Sequence, residues 1–202
     1  MNVREALERR ESCRAYASGG VEHSVIEECL SAARLAPSSC NTQPWKVIAV
    51  DREPQLSGVR EALSGEKVGI NKFLGEVPVF LAIVKEKRRL SGRAAEILSG
   101  HDLSDVDIGI YAQSICLEAT ELGLATCIIG WVDQDKIRAA LNVPVQHTVP
   151  VVIALGHAFD PNPREKRRKP LAETLCYNNY PVERKSPKIF FAISGKELSF
   201  SP

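Results

Sequence analysis

The chain is 202 residues long and 44% hydrophobic, enough for one domain with a well-buried core. Its 26 basic and 25 acidic residues leave a net charge of +1, so the overall field gives neither nucleic acid nor an anionic membrane a reason to bind, and any cationic site must be local. The six scattered cysteines form no C-x-x-C and no Cys/His cluster at metal-ligand spacing, the N-terminus lacks the apolar core of a signal peptide, and no apolar run approaches the roughly 20 residues of a membrane helix.

In chain order, Asn2 with Glu5 three residues on predicts an N-cap, and Val3, Ala6, Leu7 and Arg10 follow at helical spacing. This short helix ends at Arg10. In an extended segment beyond it, Arg10, Ser12 and Arg14 share one face. Two guanidiniums around a hydroxyl suit a phosphate, because their planar donor forks match its oxygens and stay charged, although a solvated charged linker has the same composition. After Gly19-Gly20, Ser24-Val25-Ile26-Glu27 reads as a capping box that opens a helix through Ala36, with Ile26, Leu30, Ala33, Leu35 and Ala36 on its buried side.

The stretch Ala36-Pro37-Ser38-Ser39-Cys40-Asn41-Thr42-Gln43-Pro44-Trp45 follows. Pro37 ends the helix and Pro44 fixes the entry into the next strand. Between them Ser38, Ser39, Asn41 and Gln43 place donors and acceptors on a short, stiff connection suited to a flat polar heterocycle; the same residues also populate ordinary helix-to-strand turns. Cys40 reads as a small packing residue, since no resolving cysteine or histidine neighbours it. Residues 46–50 read as a core strand with Trp45 at its start.

Residues 53–64 predict a polar helix, and 65–75 a glycine-punctuated loop carrying Asn71. Residues 78–84 form an apolar run of the length of a central strand. The charged insertion 85–100 has the length of a lid. Residues 104–122 carry the strongest helical pattern, through Ile108, Tyr111, Ala112, Ile115, Cys116, Ala119 and Leu122, closed by Gly123. The strand 125–129 ends at Ile129-Gly130-Trp131, where the bare Gly130 lets a ligand approach the backbone; glycine is also common at strand ends. Asp133 caps a helix that Pro144 closes, and residues 149–156 form the last core strand. The run Arg164 to Lys169 is the most cationic present, and without interleaved aromatics it does not read as a nucleic-acid patch.

Three of these stretches resemble, in order, the FMN-dependent nitroreductase family: Arg10-Glu11-Ser12-Cys13-Arg14, the Ala36–Trp45 stretch, and Gly123-Leu124-Ala125-Thr126 to Gly130-Trp131. Together they span most of residues 1–171. The resemblance implies an α/β (α+β) fold with a mainly antiparallel sheet wrapped by helices, in a homodimer with FMN at the subunit interface and the 104–122 helix in that interface. By the same resemblance Lys166 and Arg168 match a pair that clamps the FMN phosphate, Asn71 and Ile129-Gly130 approach the ring, and residues 181–202 extend a 1–180 domain onto the partner.

No nucleophile–base pair, HExxH motif or paired carboxylates stand out, so no protein residue is expected to be catalytic and no metal is expected. The six scattered cysteines read as reduced thiols of a cytoplasmic protein, and the resemblance implies a ping-pong oxidoreductase. In it NAD(P)H reduces FMN and a small electron-poor acceptor, such as a nitro compound or quinone, then takes the electrons, with neither nucleic acid nor membrane as partner. Around Asn71 and Ala125 the family often has glycine, which leaves open a flavin-binding or scavenging protein without turnover. A dehalogenase or flavin-destroying oxygenase shares the motifs.

Overall fold

The computed structural model describes residues 1–65, 70–86, 97 and 100–180, in two compact units, Met1–Arg164 and Glu165–Pro202. In the first unit four strands, β1 (Trp45–Val50), β2 (Val79–Lys85), β3 (Ala125–Ile129) and β4 (Thr148–Gly156), form one sheet in the order β1-β2-β4-β3. Every neighbouring pair is antiparallel, as expected from the resemblance.

The sheet has helices on both faces. Phe80, Ala82 and Val84 of β2, with Cys127, Ile129, Val152 and Ala154, face α3 (Gln55–Leu63) and α5 (Gln134–Leu141). Val79, Leu81 and Ile83, with Ile153 and Leu155, face α2 (His23–Ala33) and α4 (Ser104–Glu121). Because both faces of β2 are covered, its sequence is continuously apolar and not alternating. Between the Ile83–Val151 and Lys85–Thr148 pairs β4 carries one extra residue, so Val149 and Pro150 together face Val84; Pro150 has no N–H to give the ladder, and that of Val149 donates to Gln134 Oε1 at 3.0 Å.

Local signals account for several boundaries. Asn2 and Glu5 make a reciprocal capping box on α1 (Val3–Arg9), with Arg10 as its C-cap. Asp133 accepts from the N–H groups of Asp135 and Lys136 at the start of α5. α4 ends in a left-handed Gly123 (φ 75°): its N–H reaches Thr120 O at 3.2 Å and that of Leu124 reaches Ala119 O at 2.7 Å, so the last carbonyls are satisfied.

α2 departs from expectation. It starts at His23 with Glu22 at the N-cap and no side-chain cap, so the Ser24/Glu27 capping box does not form. His23 Nε2 lies 2.5 Å from Asp51 Oδ2, and Ser24 lies inside the first turn. The helix also stops at Ala33, so Leu35 is 80% exposed, and the buried stripe is Ile26, Cys29 and Ala33.

The second unit contributes a short helix, α6 (Leu171–Thr174). Most of the 85–100 insertion, and Phe190, Phe191, Ile193 and Leu198 of the tail, lie outside the described residues.

Candidate functional site

The chain leaves α1 at Arg10 and runs beside the free edge of β3, where Ser12 bridges Thr126 and the Cys13 N–H reaches Thr126 O at 2.9 Å. Cys13 and Tyr16 turn into the core, which leaves Ser12 and Arg14 on the outer side. Burial, the largest influence, pushes the Cys127 thiol up, while Arg14, Ser12 and Arg10 act on it in the opposite sense. Burial likewise raises Cys13 and Cys116, which disfavours their thiolate forms. Among the described residues neither Arg10 nor Arg14 has a carboxylate at ion-pair distance. A cleft of ≈ 240 Å³ opens here, lined in part by Arg10, Cys13, Gly123, Thr126, His157 and Pro163.

Arg164, which the sequence reading passed over, braces this segment. Its Nε and backbone N–H both donate to Glu11 Oε2 at 3.1 Å, and Nη2 donates to Ser12 O at 2.9 Å. The signal was Glu11, the one acidic residue among the cations of residues 9–14. Lys166 and Arg168 belong to the second unit, where Arg168 Nη1 donates to Arg167 O at 2.8 Å.

Farther along β3, Ile129 is buried and Gly130 is exposed, with no atom within 4 Å of where a Cβ would stand. Trp131 and Ile70 both lie close to Gly65: a Cβ on Gly65 would stand 3.1 Å from Trp131 Nε1 and 2.6 Å from Ile70 Cγ1. Asn71 follows in the left-handed conformation (φ 59°), its Nδ2 donating to Leu63 O at 2.9 Å. A backbone carbonyl only accepts, so this bond fixes the amide and leaves Oδ1 turned away as an acceptor.

The 38–43 loop is built differently. Gln43 N–H donates to Ser38 Oγ at 3.0 Å, Gln43 Nε2 to Asn41 Oδ1 at 3.0 Å, and Ser39 N–H to Asp107 Oδ1 at 3.0 Å. The Asn41 amide N–H groups and the Ser38 hydroxyl hydrogen stay available. Cys40 is exposed in a left-handed conformation (φ 51°), which corrects its reading as a packing residue.

The candidate residues therefore fall into two groups. Arg10, Ser12, Arg14, Ile129 and Gly130 lie along β3, with Asn71 on the α3/α5 face; Ser38, Ser39, Asn41 and Gln43 lie at the start of β1, joined to α4 on the other face. β1 and β3 are opposite edges of the sheet, about 14 Å apart at the usual strand spacing.

The sequence pattern of the Nitroreductase family matches residues 7–157. This chain belongs to that family. Curated relatives include an NADH dehydrogenase of Thermus thermophilus, 26% identical over 78% of this chain and 87% of its own length. An FMN reductase (NADPH) of Bacillus subtilis is 25% identical over 90% and 75%, and an iodotyrosine deiodinase of Drosophila melanogaster is 24% identical over 77% and 62%. Among solved structures, an FMN-dependent nitroreductase from Clostridium difficile superposes with a TM-score of 0.68 at 26% identity, covering 87% of this chain and 98% of that one. A second nitroreductase family protein of that species gives 0.73 at 26% identity, covering 89% and 100%. No described helix of this nitroreductase family member is long and apolar enough to cross a membrane.

Proposed function

We propose that this protein is a cytoplasmic, homodimeric FMN-dependent oxidoreductase that takes electrons from NAD(P)H and gives them to a small electron-poor acceptor. The observation that carries the reading is the set of donors along β3: two guanidiniums without a carboxylate partner among the described residues, flanking Ser12 beside Thr126, with the bare Gly130 four residues on. That span is about 13 Å at the usual strand rise, suited to a phosphate-tailed ring lying along the strand. Arg10, Ser12 and Arg14 would hold the phosphate; Lys166 and Arg168 are assigned to a phosphate by the family resemblance alone. Asn71 Oδ1 has the polarity to accept from the flavin N3–H, and the open side of Gly130, next to Ile129, gives the ring room.

The separation of the 38–43 loop from β3 supports a dimer in which one chain's loop completes the site of the other. α4 also leaves Leu103 (39% exposed), Val106 (57%) and Ile110 (39%) on one outward stripe, a surface a second copy would bury. Residues 181–202 would extend onto that partner.

Bound FMN would supply the hydride chemistry, accepting from NAD(P)H and passing electrons to the acceptor that replaces it. The chain's own part is to bind, orient and exclude water. A second reading, reductive dehalogenation on the same cofactor, has the deiodinase relative behind it.

The test is an absorbance spectrum of the purified protein followed by anaerobic addition of NADH and then NADPH. A two-band flavin spectrum that bleaches with one nucleotide is expected, and halogenated and nitro acceptors then separate the two readings. A colourless protein that takes up no added FMN would overturn both. Bound flavin that neither nucleotide reduces would leave a scavenging protein.

A further inference from the structure

The loop that carries Ser38, Asn41 and Gln43 is strained and held from outside. Cys40 (φ 51°), Asn41 (φ 51°) and Gln43 (φ 45°) are all left-handed, a conformation that asparagine tolerates and that costs cysteine and glutamine stability. Such a backbone persists only where its surroundings over-determine it. Two side chains of α4, one turn apart, do so. Near the loop's start Asp107 Oδ1 accepts the Ser39 N–H at 3.0 Å, and at its end Tyr111 stacks on Trp45. Asp107 is 3% exposed. A carboxylate that deep is costly unless charge-assisted bonds compensate it, and its place in the first turn of α4, where the helix dipole favours an anion, adds to them.

We propose that Asp107 is a positioning residue for the cofactor site. By fixing Ser39 before any ligand arrives, it holds the Ser38 hydroxyl, the Asn41 amide and the Gln43 side chain in one arrangement. The assignment rests on the flavin reading above for the identity of the ligand, while the anchor itself is a property of the ligand-free chain. An asparagine at this position presents the same acceptor atom; an alanine presents none.

The experiment compares the full-length wild type with Asp107→Asn, Asp107→Ala and, as a control for lost packing in α4, Ile115→Val. Amide hydrogen exchange at Ser39 is followed without ligand, and FMN affinity by titration. In the wild type and Asp107→Asn the Ser39 amide should exchange roughly tenfold or more slowly than in Asp107→Ala. The FMN Kd should rise about tenfold or more in Asp107→Ala, by at most about threefold in Asp107→Asn, and stay unchanged in Ile115→Val. Equal Ser39 exchange in all four proteins, or a Kd that does not move in Asp107→Ala, overturns the proposal. So does an Asp107→Asn protein as impaired as the alanine variant.

Should Asp107→Ala fail to fold, Ser39→Pro removes the donor instead. It follows an extended Ser38 (φ −143°, ψ 152°) that tolerates a proline after it, and Ser39→Ala, which keeps the N–H, is its control. Ser39→Pro should then raise the FMN Kd over Ser39→Ala by about tenfold, and equal values would overturn the anchor. A wild type that takes up no FMN overturns the flavin reading, and Ser39 exchange then decides the anchor by itself.

Discussion

Trp45 and Tyr111 lie face to face, ring centroids 4.4 Å apart and planes 8° from parallel, joining the first residue of β1 to the middle of α4. Tyr111→Phe keeps the stack and should leave stability to urea within about 0.5 kcal/mol of wild type. Tyr111→Leu keeps apolar volume but loses the ring pair, and should cost about 0.5–1.5 kcal/mol more.

Arg10 and Arg14 should be separable from the rest of the surface by ligand affinity. Replacing either with alanine removes a charge-assisted phosphate contact worth about 1.5–3 kcal/mol, roughly 10- to 100-fold in FMN Kd, and flattens the salt dependence of binding. Folding stability should hardly change, because neither guanidinium has an ion-pair partner among the described residues. Equilibrium dialysis at two salt concentrations checks both parts.

At Gly65 backbone and packing are strained together by any side chain. Gly65→Ala meets a left-handed φ of 55° and a contact of 2.6 Å with Ile70 Cγ1, and should destabilise by roughly 1–2 kcal/mol or more. Adding Ile70→Ala relieves the contact and leaves the backbone term. A double-mutant cycle in urea should therefore give a favourable coupling between the two substitutions.

Acid should loosen the start of α4. Burial, the largest influence on Asp102, pushes its carboxyl up, but hydrogen bonds from Ser104 and Lys85 outweigh it and hold the group well below the usual carboxylate range. Lys85 Nζ lies 2.9 Å from both Asp102 and Asp105. A depressed carboxyl pKa contributes stability that is fully present above the unfolded value of about 3.9 and is lost as pH falls through the folded one. Thermal melts should show a smaller stability loss below about pH 4 for Asp102→Asn than for wild type. At neutral pH that variant should be the less stable of the two, modestly so because the pair is partly solvated.

Signals carried by a few adjacent residues were legible in the sequence. The Asn2/Glu5 box, the Gly123 helix stop, the Asp133 cap and the β2 run each depend on local chemistry, and each appears where the sequence places it. The misreadings are tertiary. Ser24 lost its capping role to a helix that begins at His23, beside Asp51, a residue far along the chain. Cys40 looked like packing material because nothing in its neighbours reveals that the loop turns it outward. Asp107 drew no reading at all, because only folding brings Ser39 to it. Arg164 was hidden in a basic run from which the resemblance selected Lys166 and Arg168.

The parallel bridge between Ser12 and Thr126 also covers part of an outer strand of the sheet. β3 is an outer strand of the sheet, and an uncovered outer strand invites pairing with another chain. Residues 10–14 occupy that flank at Thr126 and keep it from serving as a template. A chain shortened past Cys13 would leave β3 without that cover, and the bare strand should pair more readily with another chain.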